Sequence, residues 1–211
     1  MGDRCGIQVP MRDTVPPQLR LLIREELVSR SSLGKRFRLG RPAVLAVDVA
    51  SGVAAALMWK PGGPLTLAVF EDSHDQWRSC GGGSAAGSRR KEVLRCRPSA
   101  ADRGPAAILT LLGSVSARRR RQGSAPAPAV VGEHLRVATE VSFIEADGRR
   151  IDAPRHGHIV LAWEAPAGPG GSVRRGRRPR IVAFGSDGQV LTTLSPGAVI
   201  DSAVIMGIAR S

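Results

Sequence analysis

The sequence contains no tyrosine and no asparagine, and only three of its 211 residues are cysteines. Three cysteines are too few for a disulfide scaffold, and an aromatic content of 3% leaves little for stacking on nucleic-acid bases. No window approaches the ~18 consecutive apolar residues of a membrane-spanning helix, and the first residues lack the apolar region of a secretory signal. We therefore expect a soluble, cytoplasmic protein, with Met11 as a second candidate for its start.

The charge balance is strongly basic. The chain has 31 basic and 18 acidic residues, a net charge of +13, although lysine occurs only three times. Abundant arginine with scarce lysine, asparagine and tyrosine is what a GC-rich gene produces, so codon bias and polyanion binding both explain the excess. The length and the 42% hydrophobic content supply a core for one ordinary domain or two small ones. A wholly disordered chain is thereby excluded.

The first predicted element is an amphipathic helix that begins at Pro16-Pro17, capped by Thr14, and ends near Ser31. Its apolar stripe follows i, i+3, i+4, i+8 spacing and consists of Leu19, Leu22, Ile23 and Leu27. Such a stripe either packs on the chain's own sheet or docks on a partner. Burial of the stripe distinguishes the two interpretations.

Most of the remaining chain predicts strands. Valine-rich runs bounded by glycine and proline predict a meander at 43–49, 53–59 and 65–71. Alternating apolar residues predict further strands at 136–145, 158–164, 180–185 and 189–194. Asp147-Gly148 and Asp187-Gly188 predict the turns of two hairpins. The fold class is therefore mainly β, an antiparallel sandwich or small barrel with an amino-terminal amphipathic helix.

The organisation between these strands is less regular. Residues 105–121 show helical spacing and predict a helix, with a strand at 107–112 as the alternative. Stretches 80–91, 116–130 and 166–180 have almost no apolar mass and predict mobile loops, which carry 12 basic residues and leave the rest nearly neutral. A linker at 122–131 divides a helix-plus-meander region (1–121) from a hairpin domain (132–211), with one continuous domain as the alternative. The apolar carboxyl end, 198–208, predicts a terminal strand.

No catalytic constellation emerges from the polar residues. The glycine loop at 81–88 lacks the strand-to-helix context of a phosphate loop, and Ser88 stands where the lysine of such a loop belongs. Glu71 and Asp72 are neighbours on a strand, point to opposite faces, and predict solvated surface. Cys80 and Cys96 predict free thiols in a reducing compartment, with a disulfide bridge as the alternative for an exported chain.

Histidines offer a weaker hypothesis of a hydrolase or metal site. His156 and His158 could begin a zinc or copper site with Asp152 or Glu164, but an exposed turn before a strand is the favoured interpretation. His74 beside Asp75 resembles a base and its orienting acid without a nucleophile. We accordingly expect no catalytic residue, no cofactor and no bound metal.

The basic residues could bind polyanions. Segment 35–41 interleaves Phe37 with four cations, and the arginine-rich loops can neutralise phosphates. No helix-turn-helix, zinc-finger or RNP-type pattern accompanies them. The candidate binding residues are Lys35, Arg36, Arg38, Arg118, Arg119, Arg120, Arg121, Arg174, Arg175, Arg177 and Arg178.

Residues 134–194 contain the order Val-x-Phe-Ile-x-Ala-Asp-Gly-Arg-Arg, then Arg-His-Gly-His-Ile-Val-Leu-Ala-Trp, then Ile-Val-Ala-Phe-Gly-x-Asp-Gly-Gln-Val. This order resembles a recurring pattern in uncharacterised β-rich proteins of high-GC bacteria. The resemblance implies a strand-rich domain and brings no catalytic residue. Chains with that pattern are often exported or membrane-tethered, whereas this sequence shows neither signal nor anchor.

The function hypothesis that follows is a non-catalytic, β-rich protein-interaction module of unknown partner. Its alternative is sequence-independent binding of nucleic acid or another polyanion through the arginine-rich loops. The alternative requires the basic segments to lie on one face of the molecule.

Overall fold

The strands pair into three antiparallel sheets. The computed structural model describes residues 14–29, 43–59, 64–73, 76–84, 97–119, 128–166 and 178–195. The first half contains α1 (Pro17–Ser29), β1 (Ala43–Ala50), β2 (Val53–Trp59), β3 (Leu65–Ser73), β4 (Gln76–Ser84), α2 (Ala100–Arg103), a 3-10 turn (Pro105–Ala107) and β5 (Leu109–Arg118). The second half contains β6 (Ala129–Val137), β7 (Phe143–Ala146), β8 (Arg149–Asp152), β9 (His158–Ala165), β10 (Ile181–Phe184) and β11 (Val190–Leu194).

Sheet A has the strand order β1-β2-β3-β4, sheet B the order β5-β6-β9, and sheet C the order β11-β10-β7-β8. The described strands close no barrel. The predicted mainly β fold with an amino-terminal helix is confirmed. The sequence predicts either a sandwich or a small barrel, and the described strands form stacked open sheets and not a barrel.

Sheet B is the middle layer, because its central strand and β9 bury both of their faces. Val130 and Val160 face sheet A, where they join a core with Leu57 and Val69. The side chains that alternate with these on β6 and β9 point to the opposite face, toward sheet C. The core on that side contains Leu109, Leu111, Leu135, Val137, Ile159, Leu161, Ile144, Ala146, Ile181 and Ala183. Near-continuous apolar runs in β6 and β9 are thus explained by two-sided burial.

The helix covers the outer face of sheet A. Leu19 and Ile23 are fully buried there, Leu27 is almost fully buried, and Leu22 is partly buried against the same residues. Their contacts on β2 and β3 are Ala54, Ala56, Met58, Ala68 and Phe70. The interpretation of this stripe as a docking surface for a partner is therefore wrong.

The two Asp-Gly turns form as predicted. Asp147 and Gly148 have φ angles of +52° and +71°, and β7 pairs with β8 directly across them. Gly188 has φ +79° between β10 and β11, which also pair. Positive φ at these positions gives the turn the twist that a short hairpin needs.

The predicted helix at 105–121 is wrong, and the alternative strand is closer to the structure. A register shift between Leu111 and Gly113 leaves Leu112 as the extra residue of a β-bulge. Because the bulge exchanges the two faces, Leu109 and Leu111 pack toward sheet C, whereas Val115 packs toward sheet A. Apolar residues on both phases of one strand produce the helix-like spacing.

Three further predictions are corrected by the course of the chain. The strand predicted at 136–145 is broken, because β6 ends at Val137 and β7 of another sheet begins at Phe143. The loop predicted at 80–91 is a strand as far as Ser84, where β4 pairs with β3. Residues 116–118 and 129–130, predicted as loop, belong to β5 and β6.

The predicted linker at 122–131 falls in the connection between β5 and β6, two strands that pair with each other. Its last three residues lie in β6, and Val130 shares a core with residues of sheet A. The two predicted regions thus contribute residues to one core, and the division of the chain into domains stays a prediction. The terminal strand predicted at 198–208 lies outside the described residues.

Candidate functional site

Three of the four histidines form a buried cluster between sheets A and B. His134 and His158 are each 1% exposed and His156 is 7% exposed. His134 Nε2 lies 2.9 Å from His158 Nδ1, and the backbone amide of His158 donates to His156 Nδ1 at 3.1 Å. His156 and His158 do mark a turn before a strand, but the predicted exposure of that turn is wrong. We call His134, His156 and His158 the histidine cluster.

The positions of the rings follow from the strand pairing. His134 of β6 and His158 of β9 are diagonal neighbours on the face of sheet B that packs on sheet A, because Arg136 pairs with His158 and Val160 with His134. Gly157 has φ +73°, and a Cβ there would lie 2.8 Å from the Val137 carbonyl oxygen. The residue between the two histidines therefore has to be glycine for the turn to approach β6.

All three rings are held neutral. Burial lowers the pKa of His134 to about 4, and the charge of Arg136 adds to the effect. Burial also lowers the pKa of His156 to about 4 and that of His158 to about 2. For His158, the charge of the neighbouring His134 is a further cause. Burial removes the water that would stabilise a charged imidazole, and no carboxylate replaces it. The neutral form is therefore favoured, and the pKa of all three rings is lowered.

Metal binding is not supported at this cluster. Within the described ranges, no group of three or more histidine, cysteine, aspartate or glutamate side chains is arranged to hold a metal ion. Asp152 is exposed, and Glu164 binds Arg119 at 2.8 Å. The predicted His74–Asp75 pair lies outside the described residues.

Glu71 is a carboxylate that is buried with two arginines. Glu71 is 2% exposed and accepts hydrogen bonds from Arg78 and from Arg119, the latter at 3.0 Å. The prediction of solvated surface is therefore wrong for Glu71. Cys80 beside it is a free thiol, whose pKa is raised to about 12 by burial and by the charge of Glu71. A thiol in this state is a poor nucleophile.

The described candidate polyanion residues are engaged within the fold. Arg119 binds Glu71, Glu164 and the carbonyl of Asp72, and Arg178 binds Glu133 through two nitrogens at 2.7–3.1 Å. Only the backbone of Arg118 is described, and eight candidates lie outside the described residues, namely Lys35, Arg36, Arg38, Arg120, Arg121, Arg174, Arg175 and Arg177. Whether the basic segments share one face stays a prediction.

The outer face of sheet C carries an aromatic pair. Ile144 and Ala183 point into the core, so Phe143 and Phe184, one position away on each strand, point outward and are half-buried. Their rings stack at 4.7 Å with 10° between the planes. The guanidinium carbon of Arg150 lies 3.7 Å from the Phe143 ring centre, a cation–π contact. We call Phe143, Phe184 and Arg150 the aromatic patch.

Sequence reasoning missed this patch because it placed Phe143 on one strand with Val137 and Val141. The chain changes sheets between them, and Phe143 pairs with Phe184 across β7 and β10. The apolar residues Ile144 and Ala146, in the opposite phase, were the available indication that Phe143 faces outward.

Comparisons with known proteins give no relative of this chain: no family model, no curated protein and no solved structure matches it. The resemblance to β-rich proteins of high-GC bacteria therefore stays an expectation. No helix in the described part has the length and apolar composition needed to cross a membrane.

Proposed function

We propose that the protein is a non-catalytic interaction module that binds a protein partner through the outer face of sheet C. The observation that carries the proposal is the stacked pair of Phe143 and Phe184 on that face. The chain has only seven aromatic residues, three tryptophans and four phenylalanines, and two of them lie on this outer surface. Half-buried aromatic side chains at a surface, flanked by arginine, are typical anchors of protein interfaces.

The charges around the aromatic patch favour a protein partner over a polyanion. Arg150 is the cation of the patch, and Asp152 binds it at 3.3 Å. Glu145 is exposed on the same face of β7. Two carboxylates beside one guanidinium would repel phosphates, whereas a protein surface can complement both signs.

Cross-linking from defined positions tests the proposal. Val190 pairs with Phe184 on β11 and is 59% exposed, and Leu21 on the outer face of α1 is also 59% exposed. A photoreactive amino acid is placed at either position of the full chain, which is expressed in its native host and irradiated. We expect one discrete cross-linked polypeptide from position 190 and none from position 21.

Loss of the aromatic pair supplies the second arm. Phe143→Ala with Phe184→Ala should lower the yield of that product at least tenfold, because anchor truncation costs about 2 kcal/mol or more of binding. Equal cross-linking from both positions, or a product that survives the double substitution in a folded chain, would contradict the proposal. A double-sized product containing only this chain would identify the partner as a second copy.

Polyanion binding stays the alternative prediction. A fluorescent mixed-sequence oligonucleotide, single- or double-stranded, would bind with a steep salt dependence that is lost when Arg118–Arg121 are replaced by glutamine. Absence of binding at low salt would retire this alternative. Such a result would leave codon bias as the explanation of the +13 charge.

A further inference from the structure

The histidine cluster joins two layers of the molecule. His134 and His158 stand on sheet B and face sheet A, and the backbone of Leu45 in β1 interacts with His156. Trp59, which is 4% exposed, packs in the core between the same two sheets. The cluster therefore lies at the junction of sheets A and B.

The hydrogen bond between the two facing rings requires that at least one of them is neutral. One of the two facing nitrogens, His134 Nε2 and His158 Nδ1, must carry the hydrogen and the other must accept it. If both rings were protonated, two hydrogens would occupy this 2.9 Å gap and the bond would be lost. The outer nitrogens, His134 Nδ1 and His158 Nε2, are buried without a hydrogen-bond partner, so no acceptor receives an added proton.

The charged surroundings act in the same direction. Arg136 on β6 and Arg97 before α2 are the charged groups that act on the cluster, and both oppose a further positive charge. Among the carboxylates of sheet A, Asp48 of β1 binds Arg149, and Glu71 of β3 binds Arg119. The backbone of Leu45 acts in the opposite direction, on His156 alone.

We propose that the histidine cluster is an acid-sensitive latch, which holds sheet A on sheet B at neutral pH and releases it in mildly acidic conditions. The pKa of each ring is lowered in the folded state, so the latch is fully stable above about pH 6.5 and weakens as the pH falls toward 4. Opening takes up as many as three protons, and the opening equilibrium constant then rises by up to about 1000-fold per pH unit.

Urea unfolding of the full chain between pH 7.5 and 4.5 tests the latch. The variant that combines His134→Gln with His158→Asn places an amide where each facing nitrogen lies. Neither of the new side chains titrates. With His156 alone left to protonate, we expect the rise per pH unit to fall to about tenfold or less. His74→Gln, which removes the fourth histidine of the chain, is the matched control and should leave the steep rise unchanged.

A second measurement does not need the cluster variants to fold. Trp77→Phe with Trp163→Phe leaves Trp59 as the only tryptophan, and acrylamide quenching then reports whether the junction opens. We expect Trp59 to be shielded at pH 7.5 and quenched below about pH 6 in urea concentrations below the unfolding transition. A Trp59 that stays shielded to pH 4.5, a flat unfolding profile, or a steep rise lost in His74→Gln would overturn the proposal.

Discussion

Among the described glycines that lie in strands, Gly132 of β6 has the closest neighbours, and these belong to sheet A. A Cβ on this residue would lie 2.7 Å from Val69 Cγ1 and 3.1 Å from the Ala55 Cβ. Both neighbours belong to a packed core and cannot move away freely. The absence of a side chain here is a requirement of the layer spacing.

Gly132→Ala should therefore destabilise the protein by about 1–3 kcal/mol, the usual cost of overpacking a core. Urea unfolding at pH 7.5 measures the change. Gly113→Ala is the control, because a Cβ at that position of β5 would meet nothing within 4 Å. Equal stability of the two variants would show that sheets A and B can separate without cost.

Residue-level expectations succeeded where one face of an element is buried. The stripe of Leu19, Ile23 and Leu27 was predicted because α1 contacts the protein on one side only. The expectation of an exposed turn failed for His156 and His158, because the sequence does not show that sheet A lies over the turn that contains them. Long-range ion pairs such as Glu71 with Arg119 were likewise beyond local pattern.

At the scale of the element, β9 is an edge strand of sheet B, and side chains bind its free edge at Ala162. The amide of Ala162 donates to Asp48 Oδ2 at 2.7 Å, and its carbonyl accepts from Arg149 at 3.2 Å. Asp48 and Arg149 also bind each other at 2.7 Å. At this residue an acid from sheet A and a base from sheet C thus supply the hydrogen bonds that a neighbouring strand would make.

We expect Asp48→Ala to cost about 2–4 kcal/mol, because it leaves a half-buried guanidinium and a backbone amide without their acceptor. The side chain of Asp48 is 11% exposed, whereas that of Asp152, which binds Arg150, is 61% exposed. Asp152→Ala removes a solvated pair and should change stability by less than about 0.5 kcal/mol. Similar losses in the two variants, measured by thermal unfolding, would contradict the role assigned to Asp48.

Element types were predicted best where the chain repeats one period. The meander of β1, β2 and β3 follows from apolar runs between glycine and proline. β5 was assigned to a helix because its bulge at Leu112 changes the buried face within one strand. β4 was missed because glycines replace side chains where it meets β5, as shown by Gly83, whose Cβ would lie 3.0 Å from Val115 Cγ2.

For the whole molecule, acid stability divides into two pH windows. The histidine cluster begins to act at about pH 6.5, and the effect of two of its three rings, His134 and His156, is complete at about pH 4. Glu140 acts lower, because hydrogen bonds from the Ser99 hydroxyl and the Ala100 amide lower its pKa from 4.5 to about 2. Its contribution is fully present above pH 4.5 and is lost as the pH falls toward 2.

Glu140→Gln should therefore flatten the pH dependence of unfolding below pH 4.5 and leave the histidine window unchanged. Urea midpoints measured from pH 7.5 to 2.5 separate the two windows. A changed slope near pH 6 in this variant would mean that the 97–103 segment, which Glu140 ties to the turn after β6, is coupled to the cluster.

The bridge of Asp48 and Arg149 has a consequence for solubility as well as for folding. Without it, a long apolar strand would present unpaired amides and carbonyls to other chains, and such an edge is a template for intermolecular pairing. The segment His158–Ala165 combines valine, isoleucine and leucine with few charges, the composition typical of fibril-forming segments. We therefore expect the ion pair of Asp48 and Arg149, drawn from two different layers, to hinder intermolecular strand pairing at the point where it covers Ala162.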